Sequence, residues 1–70
     1  MCSKFFKSGD DRYPYYRITE DGDYKYVSKL TNITFFGNRE YHEALGRARS
    51  MSDAIALIQA RSGYKKVAQT

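Results

Sequence analysis

The first half of the chain alternates between apolar and polar positions in the manner of β-strands. Two stretches rich in Tyr, Val, Ile and Thr, Tyr13 to Thr19 and Tyr24 to Leu30, flank the segment Glu20 to Asp23. Within that segment, Asp21-Gly22 supplies the positive φ angles that a tight hairpin turn needs. The pattern therefore predicts an antiparallel hairpin with Asp21-Gly22 at its turn.

Two shorter segments extend this predicted sheet. Ile33 to Phe36 lies between the turn-forming pairs Thr31-Asn32 and Gly37-Asn38, so it is predicted to be a third strand. Lys4 to Lys7 is followed by the polar segment Ser8 to Asp11 and is predicted to be a further edge strand. The sheet is therefore expected to have three strands, or four if the edge strand forms.

The hydrophobic period changes near residue 50. Apolar side chains then recur at i, i+3, i+4 and i+7, which is the spacing of one helical face. These side chains are Met51, Ala54, Ile55 and Ile58. Ser50 followed by Asp53 matches a capping box, and Gly63 suits the left-handed conformation that ends many helices. The pattern predicts a helix over residues 51–62.

The segment from Arg39 to Arg49 fits two structures. A helix begun by an Asn38 cap would place four apolar side chains on one face, although Gly46 would cost it about 1 kcal/mol. A strand is the alternative. The helix would align Tyr41, Ala44, Leu45 and Ala48, whereas the strand would align Tyr41, Glu43 and Leu45.

Together these elements predict an α+β protein with a small antiparallel sheet and one or two helices packed on one face. The 70 residues are expected to form a single small domain, with residues 1–3 and 66–70 frayed. A chain of this length buries only about 60% of its unfolded surface, so its core is marginal. The expected core residues are Ile18, Val27, Phe35, Phe36, Leu45, Ile55 and Ile58.

Composition narrows the class of protein. The chain is 41% hydrophobic and 29% charged, with seven Tyr and four Phe, which is too apolar and aromatic for a disordered protein. No apolar run approaches the roughly 20 residues that span a bilayer, and residues 1–7 lack the apolar region of a signal peptide. The single cysteine, Cys2, cannot form an internal disulfide. We therefore expect a cytoplasmic protein without a membrane partner.

Charge indicates the kind of partner. Twelve Lys and Arg against eight Asp and Glu give a net charge of +4, which favours polyanions or acidic protein surfaces. One face of the predicted hairpin carries tyrosines with Arg17, and the other carries Tyr16 flanked by Lys25 and Lys29. One helical layer can cover only one face of the hairpin. The uncovered face therefore exposes one of these two sets of side chains, and the sequence leaves open which one. Aromatic rings beside cations suit single-stranded nucleic acid, although tyrosines also favour strands for packing reasons alone.

Arginines near the predicted helices form a second basic group, made up of Arg39, Arg47, Arg49 and Arg61. The guanidinium group makes paired hydrogen bonds to phosphates and carboxylates. Arginines on a helix also commonly do no more than face solvent. The residues predicted to contact nucleic acid or another partner are therefore Tyr16, Arg17, Lys25, Tyr26, Lys29, Arg47 and Arg49.

The sequence offers little for catalysis. His42 is the only histidine, and a catalytic Cys2–His42 pair would need a held geometry and a third group to orient it, with Cys2 close to the chain terminus. His42-Glu43 begins like a zinc-protease motif, but Gly46 occupies the place of the second histidine. We therefore expect a protein that is not an enzyme and that uses no metal and no small-molecule cofactor.

The predicted function is that of a small non-enzymatic protein that binds nucleic acid through a basic, tyrosine-rich surface. The alternative is a protein-binding inhibitor that occludes a larger nucleic-acid-handling machine. In size, charge and lack of catalytic residues, the chain is similar to small accessory proteins of bacteriophages and mobile elements, including inhibitors of CRISPR complexes. A homodimer formed through an open sheet edge is a third alternative.

Overall fold

A computed structural model describes residues 2–70 and shows an α+β fold with a five-stranded antiparallel sheet and one helix. The elements are β1 (Cys2–Ser8), β2 (Tyr16–Asp21), β3 (Tyr24–Lys29), β4 (Asn32–Ile33), β5 (Arg39–Glu40), β6 (Glu43–Ala48), α1 (Met51–Ser62) and β7 (Val67–Gln69). The strand order in the sheet is β6-β3-β2-β1-β7, and β4 with β5 forms a separate two-stranded ribbon. The predicted fold class is confirmed, with more strands than expected.

The hairpin of β2 and β3 forms, but its turn lies one residue later than the sequence predicts. The two turn residues are Gly22-Asp23, and Gly22 has a φ of 61°. A turn with glycine first needs a positive φ only at that residue, so Asp23 keeps an ordinary backbone. A turn at Asp21-Gly22 would place Arg17 opposite Tyr26. Because the turn lies one residue later, every cross-strand partner is shifted by two positions, and Arg17 lies opposite Ser28. Because side chains alternate with a period of two, both faces keep their predicted members.

Helix α1 has the predicted bounds and both predicted caps. The Ser50 hydroxyl accepts a hydrogen bond from the backbone N–H of Asp53, at 3.2 Å. At the other end, Gly63 adopts a φ of 79° and its N–H donates to the Gln59 carbonyl, at 2.9 Å. Within residues 2–70, no helix combines the length and the apolar character that crossing a membrane requires.

Of the two structures that residues 39–49 fit, the structure has the strand and not the helix, because this segment forms β5 and β6. Strand β6 pairs with β3, and the register shifts at a β-bulge next to Val27. Gly46 lies at this bulge with a φ of 147°, and a Cβ there would come within 3.4 Å of the Leu57 side chain. The hydrogen-bonded pairing with β3, a strand that is distant in the sequence, therefore determines that this segment is extended and not helical. The positive φ of Gly46 favours glycine, whereas a Cβ at this position would make only ordinary van der Waals contact with Leu57.

Both ends of the predicted sheet also differ from expectation. The predicted strand Ile33–Phe36 is reduced to β4, and the chain turns at residues 34–37. Residues 66–70 were expected to fray, but β7 pairs with the C-terminal half of β1. Cys2 and Ser3 belong to β1, and Met1 lies outside the described residues. Pairing on both sides of β1 explains why the predicted edge strand lies inside the sheet.

The core lies between α1 and one face of the sheet. Its fully buried members are Phe6, Tyr16, Ile18, Val27, Ala54 and Ile58, against which Leu45 and Ile55 pack while partly buried. The prediction that Phe35 and Phe36 belong to the core is wrong, since their side chains are 97% and 86% exposed. The physical reason is that β4 ends before these residues, so they lie in a turn that has no layer above it.

We expect the substitution Ile58→Ala to lower the free energy of unfolding by about 2–5 kcal/mol, because it leaves a cavity against the sheet. Phe35→Ala removes a larger side chain from the surface and should change stability by less than about 0.5 kcal/mol. Urea denaturation followed by circular dichroism measures both values. A cost for Phe35→Ala that approaches the cost for Ile58→Ala would contradict the exposed position of the turn.

Candidate binding surface

Helix α1 covers one face of the sheet, and we call the opposite side the open face. Tyr16, Ile18 and Val27 point towards the helix. Alternation along the strands therefore places Arg17 and Tyr26 on the open face. What the open face can bind depends on which part of it remains uncovered.

One half of the open face is closed by Tyr41, which follows β5 directly and is only 5% exposed. Its hydroxyl donates a hydrogen bond to the Pro14 carbonyl at 2.5 Å. Its ring lies 5.4 Å from the Phe5 ring, between centroids, and the Arg17 guanidinium carbon lies 5.4 Å from the centroid of the Tyr41 ring. Arg17 Nη2 also donates to the Tyr41 carbonyl at 3.3 Å. Arg17, predicted as a binding residue, is therefore engaged within the fold.

The other half of the open face carries the four residues that we call the arginine–tyrosine surface: Tyr24, Tyr26, Arg47 and Arg49. Tyr26 lies opposite Arg47 in the ladder between β3 and β6. The guanidinium carbons of Arg47 and Arg49 lie 4.6 and 5.3 Å from the centroid of the Tyr24 ring. Arg49 Nη2 also donates to the Tyr24 hydroxyl at 3.1 Å. Tyr24 thus holds two guanidinium groups against a single ring.

The two arginines of this surface have no carboxylate partner. The ion pairs among residues 2–70 are Lys4 with Glu20, at 3.0 Å, and His42 with Glu40, at 3.8 Å. The hydrogen bond from Lys4 and its positive charge lower the pKa of the Glu20 carboxyl. Arg47 and Arg49 are exposed and take part in neither of these pairs, so their positive charges remain available to an anion from outside.

The arrangement can hold a phosphate or a carboxylate. The guanidinium group is planar, and its fork of N–H groups matches the geometry of two anionic oxygens. Tyr26 is 38% exposed, and its ring centroid lies 6.2 Å from that of Tyr24, so an aromatic surface adjoins the cations. In the part of the chain that the structure describes, no three His, Cys, Asp or Glu residues are placed to hold a metal ion together.

The structure separates the seven predicted binding residues. Tyr26, Arg47 and Arg49 lie together on the open face, whereas Arg17 is occupied by Tyr41. The other three lie on the helix side: Tyr16 is buried, Lys25 is partly buried and Lys29 is exposed. Tyr16 was expected to join an exposed cluster if its face stayed uncovered. The packing of α1 on that face removes this option.

Sequence reasoning missed Tyr24 as a site residue. The available signal was the period of two, which places Tyr24 and Tyr26 on the same face of β3. The same period places Arg47 and Arg49 on one side of an extended chain. Because both a helix and a strand remained open for residues 39–49, the sequence did not decide whether this second alternation applies.

Tyr16 is the buried ionisable group on the helix side. Its burial raises its pKa above the ordinary value of 10.0, and the negative charges of Asp11 and Glu43 add to the effect, while Arg61 opposes it. The folded chain therefore retains the phenolic proton more firmly than the unfolded chain. Stability from this source is complete below pH 10 and decreases as the pH rises above the unfolded pKa, because the phenolate form is disfavoured in the folded state.

As the pH rises from about 9.5 to 11, the free energy of unfolding should decrease less in the Tyr16→Phe variant than in the native chain, since phenylalanine has no proton to lose. Urea denaturation at a series of pH values measures the slope of stability against pH. Tyr13→Phe is the matched control, because Tyr13 is exposed and should leave that slope unchanged. Equal slopes for the native chain and Tyr16→Phe would show that folding does not raise the pKa of Tyr16.

No protein-family model matches this chain, and searches of curated proteins and of solved structures found no significant match either. The residues and surfaces of the chain itself must therefore indicate its function.

Proposed function

We propose that this protein binds nucleic acid through the arginine–tyrosine surface. One observation supports the proposal most directly. Arg47 and Arg49 are both held against the Tyr24 ring on an uncovered part of the sheet, and among the described residues 2–70 neither has a carboxylate within 4.0 Å. Two fixed and unpaired cations side by side suit a ligand with repeated negative charges.

The phosphate backbone is such a ligand. Each guanidinium fork matches two phosphate oxygens, and the net charge of +4 attracts a polyanion at long range. Tyr26 offers a partly exposed ring beside Arg47, and stacking of a base on an aromatic ring contributes about 1–3 kcal/mol. Phosphate contacts and base stacking would therefore come from adjacent strands, β6 and β3.

An acidic protein surface is the alternative ligand, because carboxylates use the same forks. Tyr and Arg are also enriched among the residues that dominate protein interfaces. We favour nucleic acid because exposed aromatic rings accompany the cations. The affinity for oligonucleotides decides between these two ligands.

The substitutions Arg47→Ala and Arg49→Ala together should weaken oligonucleotide binding at least tenfold at physiological salt. They should also reduce the slope of log affinity against log salt by about 1.4 for a single strand, if two phosphate contacts are lost. Fluorescence anisotropy with labelled DNA and RNA, single-stranded and duplex, measures both quantities. The paired substitution Arg47→Lys and Arg49→Lys should give an intermediate affinity, because it keeps the charge but loses the fork.

The matched control is Lys65→Gln with Lys66→Gln, which removes the same net charge from an exposed segment before β7. Their backbone carbonyls accept hydrogen bonds from Gln59 and Gly9, and these contacts do not involve the lysine side chains. An equal loss for both variants would indicate generic charge attraction. Absence of binding by the native chain at physiological salt would contradict the proposal and direct attention to an acidic protein partner.

A further inference from the structure

The ribbon of β4 and β5 ends in two exposed aromatic residues, Phe35 and Phe36, which we call the phenylalanine tip. The N–H of Gly37 donates to the Thr34 carbonyl at 2.9 Å, and the N–H of Thr34 donates to the Asn38 carbonyl at 2.8 Å. Gly37 has a φ of 84°, as expected at the third position of a three-residue hairpin loop. Phe35 and Phe36 therefore occupy the two central turn positions, which point away from the fold.

Further hydrogen bonds hold the tip in place. The Thr34 hydroxyl accepts from the N–H of Asn38 at 3.1 Å. At the base of the ribbon, the Asn32 side-chain amide donates to Glu40 Oε1 at 2.9 Å, and the N–H of Thr31 donates to the Glu40 carbonyl at 2.8 Å. A supported turn favours small polar residues at its centre, so two phenylalanines there are not explained by folding. Exposed apolar groups of this kind indicate an interaction.

The two rings of the tip are nearly perpendicular. Their centroids lie 5.5 Å apart, and their planes differ by 87°. The base pairs of a duplex are stacked parallel to one another. Two perpendicular rings therefore cannot both stack on consecutive base pairs. Unpaired bases of a single strand rotate independently, and each ring can then receive one base. The ring geometry therefore favours single strands over duplexes.

The ribbon that carries the tip is attached to the open face, on which the arginine–tyrosine surface also lies. Residues 30–39 contain no acidic residue, and their single charge is that of Arg39, which is exposed. The ribbon is tied to the open face by Tyr41, whose ring packs against Phe5 and Arg17. A polyanion that approaches the open face therefore meets no negative charge on the tip.

We infer that the phenylalanine tip stacks on unpaired bases of a single-stranded nucleic acid whose phosphates contact the arginine–tyrosine surface. This inference rests on the proposed function and specifies its substrate class. The tip supplies the preference for unpaired bases, and the arginines supply affinity for either form of nucleic acid.

The experiment compares affinities for a labelled single strand and for the duplex of the same sequence at physiological salt. Phe35→Leu with Phe36→Leu keeps apolar side chains but removes both aromatic faces. This variant should bind the single strand about tenfold or more weakly and the duplex with unchanged affinity. Phe35→Trp with Phe36→Trp should keep the preference for the single strand. Since both side chains are exposed, each variant should retain its thermal unfolding temperature.

The outcomes separate this inference from the proposed function. If the leucine variant retains full single-strand affinity while Arg47→Ala with Arg49→Ala loses it, the tip does not stack and the proposed function stands. Absence of oligonucleotide binding by the native chain overturns both. Self-association that the leucine variant keeps and Phe35→Ser with Phe36→Ser abolishes, with oligonucleotide binding unchanged, would identify the tip as an apolar contact between copies and overturn the inference.

Discussion

The packing of one helix against one face of the sheet is the contact on which the rest of the structure depends. Ile58 and Ala54 from α1 lie fully buried against Ile18 and Val27 from the central strands. The buried apolar residues cluster in this layer, and within residues 2–70 no second helix is available for the other side of the sheet. The sheet is therefore asymmetric, and its open face has to be covered by loops or left to solvent.

Because no helix among the described residues covers the open face, loop residues cover one half of it and the other half stays uncovered. Tyr41 closes one half by inserting its ring next to Phe5 and Arg17 and by bonding to the Pro14 carbonyl. Arg17 thereby contributes to the fold, and its guanidinium group is held against the ring and the carbonyl of Tyr41. The remaining half has no such cover, and there Arg47 and Arg49 rest on aromatic side chains. Arginine and tyrosine side chains thus pack within the fold in the half of the open face that Tyr41 closes. In the other half, the same residue types are free to contact a ligand.

Local signals in the sequence predicted several features correctly. Helix α1 is specified by its own residues, because Ser50 caps its start, Gly63 ends it, and the apolar period in between is that of a helix. The two faces of the β2–β3 hairpin were also predictable, since a turn displaced by one residue leaves the alternation intact. The grouping of Tyr26 with Arg47 and Arg49 was not, because it depends on which strands are neighbours.

The sequence by itself determined the class of fold, the helix and the composition of each hairpin face, because these follow from the spacing of residues close together in the chain. Only the tertiary structure decided that residues 43–48 form a strand, that Gly46 takes a positive φ at the β-bulge, and that Phe35 is exposed. Those outcomes depend on contacts between distant segments. The spacing of residues 39–49 satisfied a helix and a strand equally well, and only the unpaired edge of β3 favoured the strand.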